Sequence, residues 1–299
     1  MKTDLHIHSV LSDGTDSPRE IVDKAKQLGI GIMSITDHDC IGAIKDVGDY
    51  AEKCGITYIN GVELSTFATC EIHVLGYCFD PENAQLLEKL DYFEKKRKER
   101  AGLILDRLYQ LGIKLDRDCL PSDSASVGRL HIAKLMVAQG FSASIPEAFD
   151  RYLGANGKAY YPSKRITPMQ GVELIKQAKG LPVIAHPLRF LQQGKIKPLI
   201  EGLKPFGLEG IEVYYPVHDA STCAALKDLA KRYGLIATGG TDYHGANRNV
   251  ELGCVDVKLD GFTMKKLNLK GYASQNDANE TAEKLRKKKS FSREHTRRF

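Results

Sequence analysis

Short apolar, β-branched segments alternate with amphipathic helical ones along most of this chain, the pattern of βαβ units that build a parallel sheet. Seven candidate strands lie near residues 2–8, 30–36, 56–62, 72–79, 181–186, 209–215 and 235–241. The expected architecture is therefore α/β, a barrel of parallel strands. The first crossover helix is announced by Ser17 as cap, by Pro18 at its first position and by Glu20, which completes a capping box; the helix then runs toward Gly29. No repeat of fixed short period appears, which excludes a solenoid.

The alternation stops between about residue 81 and residue 165, where the chain reads as helices only: Ala84–Leu111, Leu130–Gln139 and Ile145–Tyr152. This predicts a barrel in two parts (1–80 and 166–267), a helical insertion at 81–165 that caps the substrate, and a basic C-terminal tail at 268–299. Within the insertion, Leu86, Leu87, Leu90 and Phe93 form an apolar stripe, and Lys95, Lys96, Arg97, Lys98 and Arg100 form a basic stretch beside it. A packed face next to a solvated face is the expectation.

A chain of 299 residues with 42% hydrophobic and 27% charged content can bury a large core. No stretch reaches the roughly 18 apolar residues of a membrane span, and Met1-Lys2-Thr3-Asp4 lacks the apolar run of a signal peptide. A cytoplasmic protein without membrane contact is expected. The seven cysteines form no C-x-x-C pair, which argues against a disulfide framework and a thiolate zinc site. The net charge of +5 gathers near the end, from Lys284 to Arg298, and is read as a solvated tail.

Chemistry is announced by Asp4-Leu5-His6-Ile7-His8 on the first strand, where alternate residues share a face and both imidazoles project together. Asp13 follows in the next loop, at the strand end where a barrel keeps its active site. Thr36-Asp37-His38-Asp39, Gly61-Val62-Glu63, His73, Ala185-His186-Pro187 and Asp242-Tyr243-His244 occupy the ends of later strands. A single such histidine is ordinarily a hydrogen-bonded core residue. Six of the nine histidines at strand ends are not chance scatter. The nitrogen and oxygen donors suit Mn, Fe or Zn and are too rich in histidine for Mg or Ca. They exceed what one ion takes, so a carboxylate is expected to bridge ions. Adjacent ions can hold a hydroxide between them and clamp the oxygens of a displacement at phosphorus, which points to phosphoester hydrolysis.

In that order, the motifs resemble the PHP (polymerase and histidinol phosphatase) superfamily over nearly the whole chain. The resemblance implies a distorted (β/α)7 barrel, TIM-like, with three metal ions, of which Mn²⁺ is the first candidate. By that resemblance His6, His8, Glu63 and Asp242 would hold one ion, Asp13, His38 and His244 a second, and Glu63, His73 and His186 a third. Gly128-Arg129-Leu130-His131-Ile132-Ala133 in the insertion is similar to the stand-alone subgroup of 3′,5′-nucleoside bisphosphate phosphatases, some of which are 5′-to-3′ exoribonucleases on short RNA. It implies a nucleotide substrate whose phosphate is bound by Arg129, His131 and Arg189. Leu188 and Ala246-Asn247-Arg248-Asn249 depart from the subgroup's usual residues. Lys158 and Tyr161, where the insertion returns to the barrel, are read as loop packing with the pocket mouth as the alternative, and Cys40 as an ordinary buried thiol. The expected reaction is removal of the 3′-phosphate from a nucleoside 3′,5′-bisphosphate. Its rivals are histidinol-phosphate hydrolysis and a noncatalytic metal- or nucleic-acid-binding module. Oligomeric state is left open.

Overall fold

Ser17 caps the first helix as its sequence predicts. Its hydroxyl accepts the Glu20 N–H at 3.3 Å while the Glu20 carboxylate accepts the Ser17 N–H at 2.8 Å. The structure, a computed structural model, describes residues 1–120 and 127–269; the basic run from Lys284 onward lies outside them. In chain order the elements are β1 (Lys2–Ile7), α1 (Pro18–Gln27), β2 (Ile30–Ile35), α2 (Gly42–Lys53), β3 (Thr57–Tyr58), β4 (Gly61–Phe67) and β5 (Glu71–Tyr77). Then come α3 (Ala84–Gln110), α4 (Arg129–Ala138), α5 (Ile145–Ala148), α6 (Pro168–Gln177), β6 (Leu181–Ile184), α7 (Ile196–Leu203), β7 (Gly210–Tyr214), α8 (Ala220–Tyr233), β8 (Ile236–Gly239) and α9 (Gly261–Lys266).

The α/β alternation is present, but the pairing differs from one all-parallel sheet of seven strands. Among the described residues, eight strands form a three-stranded sheet, β1-β2-β3, and a five-stranded one, β4-β5-β6-β7-β8. β5 runs antiparallel to both β4 and β6, while the remaining pairs are parallel. The cause is local. Only Ala68, Thr69 and Cys70 join β4 to β5, too few residues for a crossover, so the chain must turn back as a hairpin.

The two sheets meet at isolated parallel bridges, Ile7 with Tyr243 and His38 with Glu63. Main-chain bonds hold them: Asp242 N–H to His6 O and His8 N–H to Tyr243 O, both 2.8 Å, and Asp39 N–H to Glu63 O at 3.0 Å. Gly240 permits the first approach, because a Cβ there would stand 2.4 Å from the His6 nitrogen. The strand ends drawn together at these bridges carry most of the histidines and carboxylates singled out above.

α3 belongs to two cores. Leu86, Leu90 and Phe93 pack with Val74 and Leu75 of β5 and with Val172 of α6, whereas Ile104, Leu105 and Leu108 pack with Ile132, Met136 and Leu153. Leu87, expected in the apolar stripe, is exposed. Positions 86, 90 and 93 share one face at helical spacing, and residue 87 is turned about 100° away from it. Among the described residues, no helix is long and apolar enough to cross a membrane.

Candidate metal centre

His6 on β1 and His8 just past its end point the same way; both are fully buried, with ring centroids 5.2 Å apart. Glu63 of β4 and Asp242, just past β8, close the first group. Glu63 Oε2 lies 3.3 Å from His6 Nε2 and 3.1 Å from His8 Nε2; Asp242 Oδ1 lies 3.5 and 3.3 Å from the same nitrogens. Asp242 reaches this position through a left-handed backbone, φ 54°, that a short polar side chain tolerates.

A second group joins His8, Asp13, His38 and His244, and a third joins His38, Glu63 and His73. Asp13 Oδ1 stands 3.2 Å from His244 Nε2, and Glu63 Oε1 stands 2.8 Å from His73 Nδ1. His186, placed by resemblance with Glu63 and His73, points its Nε2 at the same Glu63 oxygen from 2.9 Å. The three groups interlock, with His8, His38 and Glu63 each shared between two of them.

The donor set fits cations. His6 Nε2, His8 Nε2, His38 Nδ1, His244 Nε2, Glu63 Oε2 and Asp13 Oδ1 are buried without a hydrogen-bond partner, an arrangement that costs about 1–3 kcal/mol per orphaned group unless something else satisfies it. Burial pushes the Glu63 carboxyl upward, but His38, His73 and His6 overcome it and hold it well below the usual carboxylate range. Burial opposes protonation of His8 too. Asp242, Glu63 and Asp13 outweigh it, and its pKa rises to about 9. A ligating imidazole is neutral, so a cation bound among these donors would displace the His8 proton. His38, His186 and His244 are held below the ordinary histidine value by burial.

Residues not anticipated from the sequence fix these ligands. Glu212, fully buried on β7, lies 3.0 Å from His6 Nδ1 and accepts the His186 N–H at 2.6 Å. A carboxylate on the far nitrogen of a metal-binding imidazole sets its tautomer and raises its basicity. The one signal for it was an acid inside the apolar run Gly210-Ile211-Glu212-Val213-Tyr214. Asp37 likewise anchors the loop after β1, taking the Ser9 N–H at 2.7 Å and the Ser9 and Ser12 hydroxyls at 2.6 and 2.5 Å.

The cluster opens into a cavity of about 370 Å³, whose far wall is formed by α3 and the start of α4. Arg129 and His131 line it, as the sequence suggested, and so do Arg97, Arg100 and Arg165. The basic stretch on α3 is therefore not one solvated face. Lys95 and Lys98 are exposed in pairs with Asp91 and Glu94, while Arg97 turns inward onto Asp39 and Arg100 donates to the Tyr161 carbonyl at 2.8 Å. Arg129 and Arg165 approach Glu71 Oε1 at 3.7 and 2.7 Å. Burial, together with Arg129 and Arg165, lowers Arg100 to about 10.

Arg189 lines the same cavity and donates to Asp242 at 3.0 Å. Lys158 is not among the lining residues, and the Tyr161 ring packs against the apolar cluster of Ile104, Leu108 and Ile132. The Cys40 thiol is pushed up to about 11 by burial and joins no candidate metal group among the described residues.

Residues 4–112 match the PHP domain. The chain is 33% identical over 262 residues to a 5′-3′ exoribonuclease of Haemophilus influenzae, covering 84% of this chain and 93% of that one. It is 31% identical over 246 residues to a 3′,5′-nucleoside bisphosphate phosphatase of Chromobacterium violaceum, covering 81% and 86%. Among solved structures, an amidohydrolase of Chromobacterium violaceum with bound sulfate superposes with TM-score 0.80 at 28% identity, covering 90% and 96%. A protein from Bifidobacterium adolescentis described as a metal-dependent phosphoesterase gives 0.78 at 27%, covering 89% and 94%.

Proposed function

The chain belongs to the PHP family, and on that premise we propose that it hydrolyses the 3′-phosphate of nucleoside 3′,5′-bisphosphates, leaving the 5′-monophosphate. One observation carries this reading: a single cavity joins the imidazole and carboxylate cluster to a separate cluster of guanidinium groups. Among the described residues, Arg97, Arg100, Arg129 and Arg165 share only the carboxylates Asp39 and Glu71, which leaves two positive charges unmatched there. A terminal phosphate carries about −1.5 to −2 at pH 7. A substrate with one phosphate at the metal cluster and another on the arginines matches both ends.

His6, His8, Glu63 and Asp242 would hold one ion, Asp13, His38 and His244 a second, and Glu63, His73 and His186 a third, with Mn²⁺ the expected metal and Fe or Zn the alternatives. When bound, such ions activate water near neutral pH and take up charge on phosphoryl oxygens. The chain's own contribution is position and charge. Arg129 and His131 grip the 5′-phosphate, Arg189 faces the phosphate being cleaved, and the helices at 81–165 form a cap that limits access of bulk water. The same grip on a 5′-phosphate supports a second substrate, short 5′-phosphorylated RNA cut from its 5′ end. This reading takes the two bridged sheets as a distorted (β/α)7 barrel. It places the protein in the cytoplasm, where seven unbridged cysteines are at home.

Histidinol phosphate fits poorly, because its ammonium group would meet the unmatched arginines. Incubation with Mn²⁺ and adenosine 3′,5′-bisphosphate, histidinol phosphate or a 5′-phosphorylated RNA tests the assignment. We expect phosphate release from the bisphosphate, with adenosine 5′-monophosphate as the nucleotide product. Preferential turnover of histidinol phosphate would overturn the assignment.

A further inference from the structure

We infer that Arg248 is a catalytic residue that contacts the phosphoryl group being cleaved, an inference that rests on the phosphoesterase reading above. The two oxygens of Asp242 face different surroundings. Oδ1 looks toward His6 and His8, at 3.5 and 3.3 Å. Oδ2 collects three donors: the Tyr215 hydroxyl at 2.8 Å, Arg189 Nη1 at 3.0 Å, and Arg248 Nη1. A carboxylate oxygen has about two lone-pair sites, so three donors oversubscribe it. Tyr215 and one guanidinium suffice to orient Asp242, and the second guanidinium is surplus to that task.

Arg248 has donors to spare. Its hydrogen bonds, to Asp242 Oδ2 and the Asp242 carbonyl, both come from Nη1, whereas a guanidinium presents five N–H donors in a rigid fork. Its side chain lines the cavity with Asp13, His38 and Arg189, and a single carboxylate separates it from the His6 and His8 pair. The loop that presents it is clamped on two sides. Ala246 N–H donates to Thr15 Oγ1 at 2.9 Å, Asn247 Nδ2 donates to the Asp13 carbonyl at 2.5 Å, and Lys134 of α4 donates to Asn247 Oδ1. A phosphoryl group entering the cavity offers charged oxygens to a donor already held in place. Such a donor stabilises the charge that develops during transfer, the part played by arginine in other phosphoryl-transfer sites.

The test uses Mn²⁺-loaded wild type, Arg248→Ala and Arg248→Lys, each checked for a native melting transition. Metal content, turnover of adenosine 3′,5′-bisphosphate and p-nitrophenyl phosphate, and competitive inhibition by inorganic phosphate are measured. We expect unchanged metal content, kcat lower by about 100-fold or more on both substrates for Arg248→Ala, an intermediate rate for Arg248→Lys, and weaker inhibition by phosphate. If Arg248→Ala loses metal and recovers its rate with added Mn²⁺, Arg248 only positions Asp242 and the inference fails. It fails equally if the loss is confined to the bisphosphate or if the rate does not change. Wild type that turns over neither substrate would instead remove the phosphoesterase reading beneath it.

Discussion

Arg129 makes no close bidentate pair in the structure. Its Nη2 stands 3.7 Å from Glu71, and its guanidinium lies over the Phe149 ring at 5.6 Å. A guanidinium held this loosely by protein partners is available to a ligand phosphate through charge-assisted bonds. Arg129→Ala should cost roughly 2–4 kcal/mol, or about thirty- to a thousandfold in kcat/KM, on adenosine 3′,5′-bisphosphate. The loss on p-nitrophenyl phosphate, which has no second phosphate, should be much smaller; equal losses would place Arg129 at the cleaved phosphate instead. Glu212→Gln tests the support beneath the cluster. It should weaken metal affinity about 10- to 100-fold while the fold persists, as read by metal titration and circular dichroism. His6, His8 and His38 were legible because each stands in a short motif at a strand end. Glu212, Arg97, Arg165 and Arg248 were not, because no local motif assigns them to the site and only the tertiary fold brings them to the cluster or its cavity.

At the level of elements, α1 and α3 were readable almost to the residue because caps and apolar spacing are local properties: Ser17 and Glu20 for one, Leu86, Leu90 and Phe93 for the other, whose start the structure shows capped by Asn83 on Leu86 N–H at 3.0 Å. The β4 and β5 hairpin was not. Glu63-Leu64-Ser65-Thr66 carries mixed polarity because one end serves the metal cluster, and function there masks the period of a strand. Glu209, just before β7, ties α6 to α9 through Lys176 at 3.0 Å and Lys266 at 3.1 Å. Burial raises its pKa, but the two lysines overcome that and hold it below the ordinary value of 4.5. A depressed folded-state pKa gives stability that is present above about 4.5 and is lost as pH falls through the lower folded value. Glu209→Gln should therefore melt earlier than wild type at neutral pH, by no more than about 1 kcal/mol for so accessible a pair. The gap should close on acidification below about pH 4. A gap that widens in acid would contradict this assignment.

At the scale of the whole molecule, the alternation of strands and helices announced the α/β class. The meeting of two sheets did not show in the sequence, because short bridges such as Ile7 with Tyr243 join residues more than two hundred positions apart. Nothing in the run from Lys284 to Phe299 has the sequence spacing of a metal ligand or a phosphate site. Its deletion should leave hydrolysis of a mononucleotide bisphosphate intact, and a large loss on that substrate would show that the tail completes the pocket. The central claim is that the cluster around Glu63 works by holding metal ions. The direct measurement is phosphate release from adenosine 3′,5′-bisphosphate by chelator-treated protein, followed by Mn²⁺ titration with the bound ions counted at each step, for wild type and Glu63→Ala. The account predicts no turnover after chelation, recovery in step with uptake of more than one ion per chain, and neither full uptake nor recovery in Glu63→Ala. Undiminished turnover by the chelated protein with no ion bound, or by Glu63→Ala, would contradict it.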